Sequence, residues 1–189
     1  MPVAHEGLCD RCCTEPPPFR ALRAWAAFDS PVRQALHKLK YRRDMGLGDA
    51  LAVPIAAFAD ALNWPLDMVV PVPLGMKRMQ ERGYNQVDLI ARPLSLALSL
   101  DYQPGALKRK RETISQVGLS AVERRENMQN AFSADASVVR GKTVLVMDDV
   151  STTGSTLSSC SEALLQSGAK DVFALTVARA LPHHGLRQV

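Results

Sequence analysis

The plainest hydrophobic pattern lies in the C-terminal third of the chain. Residues 143–147 (TVLVM) form an apolar run without alternation, which predicts a strand buried on both faces of a parallel sheet. A polar turn is expected from Asp148 to Ser155. A helix over 156–166 then places Leu157, Cys160 and Leu164 on one face, and Ser167-Gly168 closes it. Residues 172–178 return as a second apolar strand, so the segment reads as a βαβ unit with a right-handed crossover.

Upstream, the pattern is less regular. Ser30-Pro31 predicts a helix start, with Ser30 as N-cap and Pro31 at the first helical position, and Val32, Ala35, Leu36 and Leu39 share one face. A second helix is expected over 47–62, with Pro54 at its start or kinking it. The run 67–73, closed by Pro71 and Pro73, reads as a short buried strand entering a loop. A helix over 85–97 must accommodate Pro93, at a cost of about 3 kcal/mol unless it kinks. Residues 103–118 read as a mobile charged loop, and Ser120-Ala121-Val122-Glu123 as a capping box opening a short helix to Gln129.

With 47% hydrophobic and 22% charged residues, the 189-residue chain is of the globular class, long enough for a core without disulfides. Aromatics are only 5%, so Leu, Val, Ala and Ile must build that core. The longest apolar stretch, 51–64, is too short for a membrane span and is interrupted by Pro54 and Asp60. Glu6, Asp10 and three cysteines stand where a signal peptide would have its apolar region, so the expected compartment is the cytoplasm. The net charge of +4 permits nucleic-acid partners; without a reading module, DNA binding is expected to be weak and non-specific.

The candidate chemistry follows the first apolar run. Ser151, Thr152, Thr153, Gly154, Ser155 and Thr156 would present hydroxyls and backbone amides at a helix N-terminus, a setting that favours phosphate. Asp148 and Asp149 would repel that phosphate; they suit ribose hydroxyls or a magnesium–water shell beside it. One phosphate cradle next to acceptors for vicinal hydroxyls describes a ribose 5-phosphate.

This block resembles the 5-phosphoribosyl-1-pyrophosphate (PRPP) motif of type I phosphoribosyltransferases, and the chain as a whole resembles the ComF family. The likeness runs from about Cys9 to Ala180. It is carried by Leu39-Lys40-Tyr41 with Arg43-Asp44, by Val70-Pro71-Val72-Pro73-Leu74, and by Arg78 with Glu81-Arg82-Gly83-Tyr84-Asn85-Gln86. Arg109, Arg111, Thr113, Gln116, Leu119, Arg124, Asn127 and Ala131-Phe132 continue it up to the PRPP block. The resemblance implies a type I phosphoribosyltransferase fold, a central parallel sheet flanked by helices with a small hood. It also implies binding of PRPP with magnesium, and is compatible with a homodimer.

By the same resemblance, Pro71, Val72, Pro73 and Leu74 would form the pyrophosphate loop, with Lys77, Arg78 and Arg82 as its cations. Arg109, Arg111 and Gln116 would belong to a catalytic loop that closes over PRPP, with Arg124 and Asn127 holding its base. Family members carry two Cys-x-x-Cys pairs in an N-terminal zinc ribbon. Here Cys9 and Cys12 match the second pair and the first is absent, so a tetrahedral zinc site is incomplete and zinc is not expected. Residues 1–24 thus read as a ribbon remnant plus linker, and 25–189 as the phosphoribosyltransferase-like domain. Two functions fit: a magnesium-dependent phosphoribosyltransferase of unspecified acceptor, or a non-catalytic PRPP- or nucleotide-binding protein acting in competence or regulation. The second would use a basic surface that includes Lys38, Lys40, Arg42 and Arg43.

Overall fold

A computed structural model describes residues 16–42, 44–110 and 131–180. Five parallel strands form one sheet in the order β1 (Leu22–Ala27), β7 (Asp171–Arg179), β6 (Thr143–Ser151), β2 (Met68–Pro71) and β3 (Asp101–Tyr102). Among the described residues, five helices accompany it: α1 (Ser30–Tyr41), α2 (Gly46–Asp60), α3 (Met76–Arg82), α4 (Asp88–Ala97) and α6 (Ser155–Gln166), with a single turn, α5 (Ala136–Val139), before β6. A separate antiparallel ribbon pairs β4 (Leu107–Arg109) with β5 (Phe132–Ala134).

The sheet separates two apolar layers. On one side Val144 and Val146 of β6 pack with Leu157, Cys160 and Leu164 of α6 and with Leu107 and Phe132 of the ribbon. On the other, Leu145 and Met147 pack with Leu36 and Leu39 of α1, Ile55 of α2, and Ile90 and Leu94 of α4. Consecutive strand residues point to opposite faces, so a strand covered on both sides must be apolar throughout. The TVLVM run has that property. Among the described residues, no helix is long and apolar enough to cross a membrane.

Several sequence expectations are altered. Asp29 is the N-cap of α1, and Ser30 is already helical. Pro93 lies inside α4 as the sequence predicts, and of the two places open to Pro54 the structure shows the interior of α2. β6 does not stop at Met147; its ladder with β7 continues through Asp148↔Thr176 to Ser151↔Arg179, so the acids are strand residues and the turn starts later. Part of the expected loop 103–118 is strand β4, because Ala106 and Leu107 bury under the ribbon and its partner Phe132 does the same. The boundary expected between residues 24 and 25 falls inside β1. Arg20 N–H donates to the Val172 carbonyl at 2.8 Å, and Leu22 registers with Ala174, so the sheet begins before that boundary. The capping box at 120–123 lies outside the described residues.

Gly48 lets α2 approach the start of α4 closely. A Cβ there would stand 2.5 Å from the Leu89 carbonyl oxygen and 2.8 Å from its Cβ. Alanine is favoured over glycine in a helix by about 1 kcal/mol, but this contact is with backbone and cannot be relieved by a rotamer. Gly48→Ala is therefore expected to destabilise the fold by about 1–3 kcal/mol, the usual range for overpacking. Urea unfolding checks it; an unchanged or raised midpoint would show that the two helices separate freely.

Candidate active site

The end of β6 brings two carboxylates to the sheet's C-terminal edge and sends them to different surroundings. Asp149 is 6% exposed. Its Oδ2 accepts a hydrogen bond from Gln86 Nε2 at 2.7 Å and forms an ion pair with Lys40 Nζ at 2.6 Å. Arg82 donates to Gln86 Oε1, which fixes the amide so that its nitrogen faces Asp149. The Arg82 guanidinium lies over the Tyr41 ring, 5.4 Å from its centroid.

The rest of the Glu81–Gln86 motif ties the same region together. Gly83 takes φ +83° to end α3. The Tyr84 hydroxyl donates to the Leu39 carbonyl, holding α1 beside the motif. Asn85 Nδ2 donates to the Val72 carbonyl at 3.1 Å and to Asp88 Oδ1 at 3.2 Å, while its Oδ1 accepts from the Val87 amide at 3.2 Å. The loop after β2, the acid pair and the end of α1 are thus joined through one short segment.

Asp148 occupies the opposite side. Its Oδ1 accepts the Asp149 amide at 2.8 Å. Burial, then the neighbouring Asp149 charge, push its pKa up from 3.8 to about 7; Lys40 and Arg109 offset part of that rise. Cys160, buried in α6, is raised above its ordinary value chiefly by desolvation and next by Asp148. Arg109 is half-buried and stacks over Phe132, its cation 5.5 Å from the ring centroid. Ribbon and acid are therefore coupled electrostatically.

Beyond β6 the chain turns at Gly154, whose φ of +81° suits glycine; as N-cap of α6 it offers no side chain, and Thr153 Oγ1 accepts a long hydrogen bond from the Ser155 amide at 3.4 Å. Thr153 Oγ1 and Ser155 Oγ lie 2.8 Å apart. Among the described residues, Ser151 Oγ and Thr176 Oγ1 are buried without a hydrogen-bond partner, one preceding this turn and the other opposite Asp148 in register. Buried hydroxyls are normally satisfied by protein or ordered water.

The segment expected as a loop, Pro71, Val72, Pro73, Leu74, begins on the last residue of β2, where Pro71 registers with Met147 of β6, and leaves the sheet after it. Pro71 has no N–H, and the Val72 amide restores the ladder by donating to the Met147 carbonyl at 2.8 Å. Lys77 and Arg78 are exposed on α3, which buries none of its residues. Arg78 and Arg82 line a pocket with Lys40, Tyr41 and Glu81. The structure thus brings together the acid pair, the Ser151–Thr156 turn, the 71–74 loop, Arg82 and Arg109. Arg111, Gln116, Arg124, Asn127, Cys9 and Cys12 lie outside the described residues. Among the described residues, no cluster of three His, Cys, Asp or Glu could hold a metal.

The phosphoribosyl transferase domain family matches residues 87–185, just over half of the chain. The DNA utilization protein YhgH of Escherichia coli K12 is 36% identical over 96% of this chain and 82% of its own length. Competence protein F of Haemophilus influenzae is 33% identical over 91% of this chain and 78% of its own. The chain belongs to the ComF family. Among solved structures, the allosteric regulatory enzyme of purine biosynthesis is similar at 21% identity over 69% of this chain and 26% of that one, with a TM-score of 0.49. The type I phosphoribosyltransferase fold of a ComF protein accounts for the parallel sheet with helices on both sides and for the small ribbon beside it.

Two site residues of this ComF protein escaped sequence reasoning. Lys40 reads as part of a solvated basic face, yet it is half-buried on Asp149. Gln86 has a recognisable motif but no evident task, because its partner is 63 positions away. The motif match itself was the signal available for both.

The raised Asp148 pKa gives the ComF fold a pH dependence. Between about pH 4 and 7 the folded chain keeps a proton that the unfolded chain has released. This contribution to stability therefore falls as pH rises through that window and is level above it. Asp148→Asn is expected to flatten the difference in melting temperature between pH 5 and pH 8, and to melt higher than the parent at pH 8. Identical pH profiles for the two proteins would refute the assignment.

Proposed function

We propose that this protein binds PRPP or ribose 5-phosphate together with magnesium at the C-terminal edge of β6 and β2, and that it is a phosphoribosyltransferase. The observation that carries this reading is the Asp148-Asp149 pair at the end of β6, the strand that runs into the Gly154 turn and the N-terminus of α6 and pairs with β2, from which the 71–74 segment leads. The 5-phosphate belongs at the Ser151–Thr156 turn, where backbone amides and the helix dipole favour an anion. The ribose hydroxyls lie toward the acids, and the diphosphate toward the 71–74 loop, Lys77 and Arg78. Magnesium fits as an ion held chiefly by substrate phosphates and its own waters, within reach of the acids; the Lys40 ammonium on Asp149 Oδ2 does not favour a direct bond to that oxygen.

The chemistry is displacement at the anomeric carbon. The bond from C1 to the nucleophile forms, the bond from C1 to the pyrophosphate oxygen breaks, and pyrophosphate leaves with the electron pair. The chain's part is to position the two reactants and to neutralise charge on the leaving group. Arg109, next to Lys108 on ribbon strand β4, is the ribbon cation whose charge reaches Asp148, and Arg111 and Gln116 follow it in sequence. The relatives named for DNA utilization and competence suggest a role in DNA uptake or use. A second reading, a non-catalytic nucleotide-binding protein, is favoured by the groove along α1 lined by Arg33, His37, Lys38 and Arg42. Pyrophosphate release from PRPP in the presence of bases and amines distinguishes the two.

The halves of the site separate by mutation. Asp148→Asn with Asp149→Asn is expected to leave sulfate binding intact or tighter, and to remove most of the magnesium-dependent preference for PRPP. Hydrogen bonds to a charged acceptor contribute about 1.5–3 kcal/mol each. Thr153→Val with Gly154→Val forces a β-branched residue to φ +81° and crowds the turn, so both ligands should weaken. Titrating sulfate and PRPP on each folded variant, with and without magnesium, tests this. Equal loss of both ligands in both variants would remove the division of labour.

A further inference from the structure

The two donors that hold Asp149 meet on the same oxygen. Gln86 Nε2 and Lys40 Nζ are both on Oδ2, at 2.7 Å and 2.6 Å. Fixing one oxygen of a planar carboxylate from two directions, by groups on two different elements, leaves the carboxylate one orientation and keeps Oδ1 outside the clamp. The donors are themselves held. Arg82 fixes the Gln86 amide, Tyr41 lies beneath Arg82, and Tyr84 pins the carbonyl of Leu39, the residue before Lys40. A carboxylate needing only solubility would not require this arrangement. One buried for packing alone would engage both oxygens.

We propose that Lys40 and Gln86 are positioning residues that aim Asp149 Oδ1 at a ribose hydroxyl, so that the preference for a hydroxylated sugar depends on α1 and on the Arg82–Gln86 segment. This rests on the reading of the edge as a ribose 5-phosphate site. Lys40 does not touch the sugar; it acts through Asp149. Its ammonium pairs with the Asp149 carboxylate, and a hydrogen bond from a hydroxyl to a carboxylate is the strong, charge-assisted kind.

The test uses the full chain and four probes: ribose 5-phosphate, its 2-deoxy and 3-deoxy analogues, and inorganic sulfate, each titrated by calorimetry. The parent is expected to prefer ribose 5-phosphate over at least one analogue by about tenfold, the effect of one hydrogen bond to a charged acceptor. In Lys40→Met that ratio should collapse to within about twofold. Any general loss from removing a cation would appear equally in sulfate and the analogues, and so cancels in the ratio. Lys40→Arg should restore most of it. Because Lys40→Met leaves a buried carboxylate unpaired, the variant can fail to fold; Gln86→Met, which retains the ion pair, then serves, and should lower the ratio several-fold. A parent ratio retained in Lys40→Met or in Gln86→Met overturns the proposal while leaving the phosphate site standing. A parent that binds ribose 5-phosphate without preference overturns the assigned hydroxyl acceptor and this proposal together. A parent that binds none of the probes overturns the ribose 5-phosphate reading itself, and the proposal with it.

Discussion

Two residues in succession on one strand cannot look the same way, and β6 is covered on both faces. That constraint decides where each acid of the pair can go. Asp149 faces the layer of α1 and α4, where Lys40 and Gln86 wait. Asp148 faces the layer of α6 and the ribbon, where Arg109 and Cys160 sense its charge. Apolar residues up to Met147 make the strand central, and its pairing with β7 through Ser151 carries both acids to the edge where a ligand has access. A site that looks like one acidic dipeptide is therefore two half-sites back to back.

Burying a carboxylate costs several kcal/mol unless it is paired and hydrogen-bonded. The two halves meet this cost differently. Asp149 is compensated by an ammonium from α1 and an amide from the segment after α3, so its position depends on both elements being in place. Asp148 has a neighbouring backbone amide and the more distant charges of Lys40 and Arg109; burial and the Asp149 charge outweigh them, and a raised pKa is the result. Much of the basic charge elsewhere is peripheral: Arg33, Lys38, Arg42, Lys77 and Arg78 are exposed. The net charge of the chain thus says little about the site, where specific pairs set the field.

The βαβ unit was legible because a doubly buried strand must be written in apolar residues, and Ser167-Gly168 marks a helix end plainly. β1 was not legible. Its Leu-Arg-Ala-Trp-Ala-Ala has no alternation and three alanines, and only its docking against β7 makes it a strand. β4 is three residues long, too short for any period, and is fixed by the burial of Leu107 against β5. The polar turn was placed too early because Asp148 and Asp149 read as loop residues; ladder pairing overrode that preference. Within the site, the phosphate turn was readable as local chemistry, whereas the Lys40–Asp149–Gln86 triangle joins residues from three separate elements. Long-range pairing leaves no local trace in a single sequence.

The strand order also sets when this sheet can be finished. β1 comes from the start of the described chain, yet its sole partner in the sheet is β7, the last strand: Leu22 lies beside Ala174. During synthesis the early strand waits for its partner until β7 has been made, about 150 positions later, as the Leu22↔Ala174 pairing shows, and β6 must already separate β7 from β2. Closing so long a loop is entropically costly and slow. The edge formed by Leu22–Ala27 therefore remains an unpaired template until then. On the ribosome, its alanine-rich and weakly strand-forming sequence is an asset: it leaves a poor sticky edge for a strand that must wait for β7.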